Sequence, residues 1–489
     1  MNHKRLARVC VPVCEKDLDA LRSACELGDW IELRLDCLDE IPDNLKEITR
    51  PLILTFRPSE QGGYRELTRE ERRRFWSSAP RGESVWWDIE GDLVHDLDPD
   101  WSRVIVSHHD FSGVPKDLDQ IYERLAQTPA AVIKIAVQAR DILDCLPVFQ
   151  LLDRARSDGR EIIAIAMGNA GIATRVLGPS RGSFLTYGAL DDARTTAPGQ
   201  VNARKLRSLY HLDTIDDETM ICGLVGMPVM HSVSPRIHNT AFLEEKLNGV
   251  YLPFEVHDAV QFFKRMVHPR TRELNWNLRG FSITAPYKQT VMECLDWIDC
   301  DGKEIGAVNT VVVERDRLLG YNTDAAGFID PLLRRFTTLR DAKVAIIGAG
   351  GAARAAIWAL QRQNANVMLF ARNVPKAQAL ADLFRISCMS LNEASFAGYD
   401  LVINTTPLGS GAYINQSPVT REQLSGSRCV YDLIYNPRET LLLREAQEAG
   451  CVTLGGLGML VAQAGLQFEL WTGRKFSHEF SRMNTDFLY

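Results

Sequence analysis

The sequence predicts an α/β protein in which a (β/α)8 barrel precedes a second strand–helix module with a dinucleotide-binding loop. Three observations predict it. Eight short apolar runs fill the first 190 residues and alternate with longer polar or amphipathic stretches, the rhythm of strands joined by crossover helices. A strand from Lys343 to Ile347 flows into Gly348-Ala-Gly-Gly-Ala-Ala353 and an alanine-rich helix. The 489 residues also exceed what one core holds, at roughly 100–200 residues per domain.

The eight runs are Arg8 to Val13, Trp30 to Asp36, Pro51 to Arg57, Ser84 to Glu90, Arg103 to Asp110, Ala131 to Val137, Glu161 to Gly168 and Gly182 to Leu190. Gaps such as Lys16 to Leu27 and Ile142 to Ser157 leave room for a helix, whereas Gly91 to Ser102 is too short and too rich in Pro and Asp for a full one. In such a barrel the functional groups gather at the C-terminal ends of the strands. There Glu32, Arg34 and Asp36 alternate along one strand and so share a face. Ile31, Leu33 and Leu35 suit the helix side, which turns those charges inward. Arg57 ends the third run, Asp88 and Glu90 the fourth, and His108 and His109 lie near the end of the fifth.

Lys134 sits inside AVIKIAV, where an ammonium is costly unless it is neutralised or paired. It is either a neutral amine able to attack a carbonyl, or a structural cation that pairs with Glu32 or reaches out from a strand end. After the eighth run come ARTTAPGQ, a helical stretch and the polar segment HLDTIDDET, which place a boundary near residue 215 and domains at 1–214 and 215–489.

In the second module the glycine loop matches GxGxxG/A, whose glycines let a pyrophosphate approach a helix N-terminus. The next strand ends at Ala371-Arg372-Asn373, and no acidic residue stands where a ribose 2′-hydroxyl would be held. Arginine there favours the 2′-phosphate of NADP. Lys288 reads either as a solvated helix residue or as a proton donor. Asp324, in Asn322-Thr-Asp324, reads either as a helix N-cap or as its partner.

Composition narrows the partners. The 56 basic and 63 acidic residues give a net charge of −7, with no basic stripe, which argues against nucleic acid or anionic membrane and for small molecules. No run reaches the roughly 18 apolar residues of a membrane span, and no signal, transit or anchor segment is recognisable. Eleven scattered cysteines without a CxxC pair suit a reducing cytosol, so a cytoplasmic protein is expected.

ELRLD at 32–36, TFR at 55–57, SHHDF at 107–111, KIAV at 134–137, TR at 174–175 and TAPGQ at 196–200 together resemble type I 3-dehydroquinate dehydratase. The resemblance implies that Lys134 forms an imine with the substrate ketone and that His109 moves the proton. It also implies that Glu32, Arg34, Arg57, Arg175, Thr196 and Gln200 hold the substrate. His108 is then a packing residue. Thr196 replaces the family's usual serine. Where that family has a glutamate four residues after the arginine, this chain has Gln61, with Glu60 one place early, so the residue that orients His109 is left open.

GLVGMPVMHSVSPRIHNTAF, GFSITAPYKQTV, GAVNTV, LGYNTDAAGF, INTTPLG, YDLIYNP and GGLGMLVAQAGLQFELWTG resemble shikimate dehydrogenase. That implies a two-lobed module, with a substrate lobe at about 221–330 plus C-terminal helices at about 456–489, and a Rossmann lobe at about 331–455. Ser232 and Ser234 would bind a carboxylate, Thr284 and Asn309 ring hydroxyls, and Tyr435 and Gln463 would close the site. Lys288 and Asp324 would be the catalytic pair. Gly348, Ala349, Gly350, Gly351, Ala352, Arg372, Lys376, Thr405, Leu433 and Gly456 would bind NADP(H). Ser282, Ala371 and Ser410 depart from the family pattern.

The first reaction makes 3-dehydroshikimate, the ketone that the second reduces to shikimate, so one chain with both activities is expected. A Schiff-base aldolase barrel fused to another oxidoreductase leaves Ser232, Ser234 and TAPGQ unexplained. A non-enzymatic sensor of such ligands has no need to keep Lys134, His109, Lys288 and Asp324.

Overall fold

The computed structural model describes residues 7–15, 18–42, 45, 48–392 and 394–475. Residues Lys16 and Asp17 of the expected first helix region, and the expected C-terminal helices beyond residue 475, lie outside that set. The chain divides into two compact units, Met1–Leu278 and Arg279–Tyr489.

The first unit opens with eight parallel strands: β1 (Val9–Val13), β2 (Trp30–Arg34), β3 (Leu52–Thr55), β4 (Val85–Glu90), β5 (Val104–Asp110), β6 (Val132–Gln138), β7 (Glu161–Met167) and β8 (Thr186–Tyr187). Neighbours follow chain order from β1 to β7, and β8 pairs with β1. A parallel bridge between Ile162 and Ser183, with the Phe184 N–H donating to the Ile162 carbonyl at 2.6 Å, closes the ring. All eight expected strands are present, seven of them shorter than their apolar runs and β6 of equal length but one residue later. Asp36 lies in the 3-10 turn Leu35–Cys37 after β2 rather than on the strand, and β8 keeps two residues of its run. As expected, the stretch from Gly91 to Ser102 forms only the 3-10 turns Gly91–Leu93 and Trp101–Arg103 with their links.

The period-two alternation of a strand explains how one barrel holds both a core and a site. Trp30, Ile53, Ile105 and Val132 pack together low in the barrel. Two residues further along the same faces stand Glu32, Thr55, Ser107 and Lys134, and two further still Arg34, Arg57, His109 and Ala136. Apolar side chains therefore fill the bottom and charged ones the C-terminal end, while Ile31 and Leu33 are fully buried on the outer face.

Within the same unit β9 (Met220–Gly226) and β10 (Gly249–Glu255) run parallel, followed in space by the helix Ser234–Glu244. Trp276 packs on Phe149 of the barrel helix Cys145–Ser157, with ring centroids 6.1 Å apart. Arg181 donates to the Asn275 carbonyl at 2.9 Å, and the His257 N–H donates to the Asp141 carboxylate at 2.6 Å.

In the second unit β11 (Leu278–Ile283), β12 (Trp297–Ile298), β13 (Thr310–Val313) and β14 (Leu318–Tyr321) form a mixed sheet, antiparallel at β11–β13 and β13–β14. A second sheet is wholly parallel: β15 (Lys343–Ile347), β16 (Asn366–Ala371), β17 (Ser387–Ser390), β18 (Leu401–Asn404), β19 (Cys429–Asp432) and β20 (Val452–Gly455). Their order, β17-β16-β15-β18-β19-β20, is doubly wound and reverses between β15 and β18, where such sheets open a ligand crevice. Val344 and Ile346 face one apolar layer, Ala345 and Ile347 the other, so helices cover both sides.

Candidate active sites

All eight barrel residues expected at a site line one pocket: Glu32, Arg34, Arg57, His109, Lys134, Arg175, Thr196 and Gln200. The first six are at most 7% exposed, so their charges must be answered by one another or by a ligand. Lys134 is the hub. Its Nζ lies 2.8 Å from Asp88 Oδ2, 3.3 Å from Glu32 Oε1 and 2.9 Å from the Tyr187 hydroxyl. Asp88 also takes Arg57 Nη2 at 2.7 Å, which holds its carboxyl well below the usual range against the opposing effect of complete burial. Thr55 donates to Glu32 at 2.8 Å.

Arg34 makes two bonds to Asp36, at 3.0 and 2.8 Å, and a third to the Gly62 carbonyl at 3.0 Å. Among the described residues Arg175 has no such carboxylate. Its Nη2 reaches only the Pro198 carbonyl at 3.4 Å, its Nε is buried without a partner among the described residues, and burial pulls it down to about 10. A buried guanidinium lacking an anion is an opening for a ligand carboxylate. Gln200 Oε1 takes the Thr196 N–H at 2.9 Å, which folds the TAPGQ loop over the same pocket.

His109 is pushed well below the ordinary histidine value, first by burial and then by Arg57 and Lys134, so its ring is neutral at pH 7. Its Nδ1 is buried with no hydrogen-bond partner among the described residues. Of the two candidates for orienting it, Glu60 is exposed, and Gln61 Oε1 accepts from the His109 backbone N–H at 3.2 Å rather than from the ring. Sequence reasoning left out Tyr187, and it gave Asp36 and Asp88 no partner. The signal for Asp88 was its place at a strand end, but its partners, Arg57 just past β3 and Lys134 on β6, emerge only once the strands are set side by side.

In the second unit Lys288 Nζ lies 2.6 Å from Asp324 Oδ2. Asn309 donates to the other oxygen of Asp324 at 2.8 Å and to Thr323 at 3.0 Å, and it reaches Gln463 at 3.5 Å. Lys288 sits in a half-buried turn after β11, and Thr284 accepts the Tyr287 N–H in that turn at 3.0 Å. Asp324 begins the helix Asp324–Arg335 but does not cap it, because its carboxylate is engaged by Lys288 and Asn309. The family departure Ser282 donates to Gln467 at 2.7 Å. Ser232 and Ser234 lie in the first unit, 3.1 Å apart at the start of their helix. Tyr435 and Leu433 occupy the loop after β19, and the Gly456 N–H donates into it at the Ile434 carbonyl, 3.1 Å away.

The crevice between β15 and β18 fits a dinucleotide. Gly348 has φ +106°, and a Cβ there would stand 2.7 Å from Thr405 Oγ1, so glycine is required. A Cβ on Gly350 would meet nothing within 4 Å, which leaves room for a phosphate at the N-terminus of the helix Gly351–Arg362, beside Ala349 and Ala352. A Cβ on Gly351 would lie 3.2 Å from Lys288 Cδ, so the loop abuts the Lys288–Asp324 pair. Arg372 and Lys376 are exposed just past the end of β16.

Comparison with known proteins agrees. Residues 9–217 match the type I 3-dehydroquinase family, 224–311 the shikimate dehydrogenase substrate binding domain, 332–440 shikimate/quinate 5-dehydrogenase, and 456–477 the shikimate 5′-dehydrogenase C-terminal domain. The chain is 34% identical to the chloroplastic bifunctional 3-dehydroquinate dehydratase/shikimate dehydrogenase of Arabidopsis thaliana, over 96% of this chain and 83% of that one. It is 41% identical to a shikimate dehydrogenase (NADP(+)) of Caldanaerobacter subterraneus, over 54% of this chain and 96% of that one. A crystal structure of a shikimate dehydrogenase in complex with NADP+ superposes with a TM-score of 0.52 at 37% identity, covering 56% of this chain and 96% of that one.

Proposed function

The chain belongs to the bifunctional 3-dehydroquinate dehydratase/shikimate dehydrogenase family, enzymes of the shikimate pathway, and we propose how its residues divide the two reactions. The observation that carries the barrel assignment is Lys134 buried between Asp88, Glu32 and Tyr187, with Arg175 nearby in the same pocket lacking an anion. The 3-dehydroquinate carboxylate pairs with Arg175, and Glu32, Arg34, Arg57, Thr196 and Gln200 hold its hydroxyls and ring.

Lys134 passes a proton to a neighbouring carboxylate and attacks the C3 ketone. The carbinolamine loses water to give an imine. His109 takes the C2 proton while the C–H electrons move toward the imine nitrogen, so the base faces a weaker demand than at a plain ketone. The enamine then expels the C1 hydroxyl, which leaves as water with the proton from His109. Hydrolysis of the imine frees Lys134 and 3-dehydroshikimate.

In the second reaction NADPH, when bound, supplies the hydride that reduces the ketone. Lys288 and Asp324 deliver the proton to the carbonyl oxygen, and Asn309 fixes the Asp324 carboxylate for that transfer. Ser232 and Ser234 receive the substrate carboxylate, Thr284 and Gln463 its hydroxyls, and Tyr435 closes the site. Arg372 and Lys376 take the 2′-phosphate, and Thr405, Leu433 and Gly456 flank the nicotinamide half of the crevice.

The functional boundary falls near residue 215. The end of the dehydroquinase match at 217 and the start of the next at 224 support it. Eleven scattered cysteines, all free, support a reducing compartment, and we place the protein in the cytoplasm. No helix among the described residues is long and apolar enough to cross a membrane. Purified protein given 3-dehydroquinate as its sole organic substrate should consume NADPH, because dehydration must precede reduction. If NADPH is consumed only when 3-dehydroshikimate is supplied, the barrel assignment fails.

A further inference from the structure

Tyr187 stands in the barrel pocket without a role in either reaction. An interior layer of a (β/α)8 barrel takes one side chain from every second strand. Here the even strands supply Glu32 from β2, Asp88 from β4, Lys134 from β6 and Tyr187 from β8. Tyr187 turns its hydroxyl to within 2.9 Å of Lys134 Nζ, which also lies 4.4 Å from its ring centroid. The side chain is 4% exposed and lines the same pocket as Lys134 and His109. A ring alone would fill this place, and burying a hydroxyl costs free energy unless it is bonded. Of the three groups bonded to Nζ, Asp88 and Glu32 can only accept while they are ionised, whereas the phenol has a hydrogen to give.

We propose that Tyr187 is a further catalytic residue of the dehydratase, whose hydroxyl donates to the C3 oxygen of the substrate while the imine on Lys134 forms and is hydrolysed. This role rests on the reading of Lys134 as the imine-forming residue. In the resting pocket the Lys134 ammonium donates to the phenol oxygen. Once Lys134 has passed a proton to a neighbouring carboxylate and Nζ bonds to C3, the former ketone oxygen stands two bonds from Nζ. That is inside the reach of a hydroxyl 2.9 Å from the same nitrogen. The C=O electron pair moves onto the oxygen, and a nitrogen proton follows it to give the carbinolamine. The C–O bond then breaks. The hydroxyl leaves with the bonding pair and the proton held by the carboxylate, as water, while the nitrogen lone pair completes C=N. Tyr187 steadies the oxygen at both points and keeps its own proton, because burial pushes its phenol well above the ordinary tyrosine value. In reverse, the same hydrogen bond orients the water that hydrolyses the imine.

The test follows exchange of the C3 oxygen of 3-dehydroshikimate with oxygen-18 water by mass spectrometry. The full chain is used without NADPH, so only imine formation and hydrolysis are read. Tyr187→Phe keeps the ring beside Lys134 and removes the hydroxyl. It should slow both the exchange and dehydratase kcat by about a hundredfold, the scale of one lost donor to a developing oxyanion. KM for 3-dehydroquinate should stay within about twofold, the sign of an intact pocket, and reduction of 3-dehydroshikimate should be unchanged. Exchange as fast as in the unaltered protein overturns the proposal. A rise in KM at unchanged kcat also overturns it, because Tyr187 would then only hold substrate. Recovery of the full rate at higher pH overturns it too, because the phenol would then only set the charge of Lys134. Exchange by the unaltered protein no faster than by Lys134→Ala overturns the imine reading and this role with it. Exchange lost in Lys134→Ala but kept in Tyr187→Phe leaves the imine standing and removes Tyr187 alone.

Discussion

Lys134 and Lys288 share a residue type but meet different surroundings, one walled in by two carboxylates and a phenol, the other partly open beside a single carboxylate. Lys134→Ala should therefore cut dehydratase turnover by about 10³-fold or more and leave reduction of 3-dehydroshikimate intact, with Lys288→Ala doing the reverse. Loss of both activities in either variant would show that the sites do not work independently. His109 gives a pH signature. Because it is held below the ordinary value of about 6.5, its ring stays neutral and able to take the substrate proton as pH falls through that value, so the acid limb of dehydratase kcat/KM should lie below it. The stability sign follows. Below about 6.5 the unfolded histidine binds a proton that the folded one refuses, so stability drops on acidification, and His109→Gln should flatten that drop in thermal midpoint. At this scale the sequence disclosed the chemically loaded residues through their apolar company, as with Lys134 in AVIKIAV. It did not disclose which carboxylate serves which cation, because the Asp88 bonds to Arg57 and Lys134 cross strands 31 and 46 residues away.

Strand ends do the positioning in both modules. The crevice beside β15 and β18 was legible because a glycine loop after a strand has a local cause: Gly348 at φ +106° excludes other residues through its own backbone. The edges of elements were less legible. Asp36 reads as a strand residue from alternation alone, yet the chain leaves β2 after Arg34 and reaches the same partner from a 3-10 turn. Arg372 tests the far end of the crevice. It sits exposed just past β16, where it can meet a 2′-phosphate but owes nothing to packing. Arg372→Ser should raise KM for NADPH by about ten- to a hundredfold and leave kcat/KM with NADH unchanged. Equal losses with both cofactors would mean that the side chain does not read the 2′-phosphate.

The sequence motifs stop and restart near residue 215, yet compactness joins the barrel to β9 and β10 in a single unit that ends at Leu278. No local pattern announces that junction, because it is made by side chains that each read as ordinary. Phe149 is a core residue of a barrel helix, Trp276 precedes β11, and the Arg181 and Asp141 bonds to Asn275 and His257 join surface segments more than 90 residues apart. Trp276 is 5% exposed, also packs edge-on to Phe254 of β10, and donates its Nε1–H to the Met266 carbonyl at 2.8 Å. Trp276→Ala should thus open a cavity that the barrel shares and cost about 3–5 kcal/mol. The dehydratase residues all precede residue 201, so a barrel that stood alone would be indifferent to this change. A barrel braced by β9 and β10 should instead lose dehydratase activity at a lower temperature in the variant, with its kcat at 25 °C unchanged. Identical heat-inactivation midpoints for dehydratase in the two proteins would show that the Phe149–Trp276 contact lends the barrel no stability.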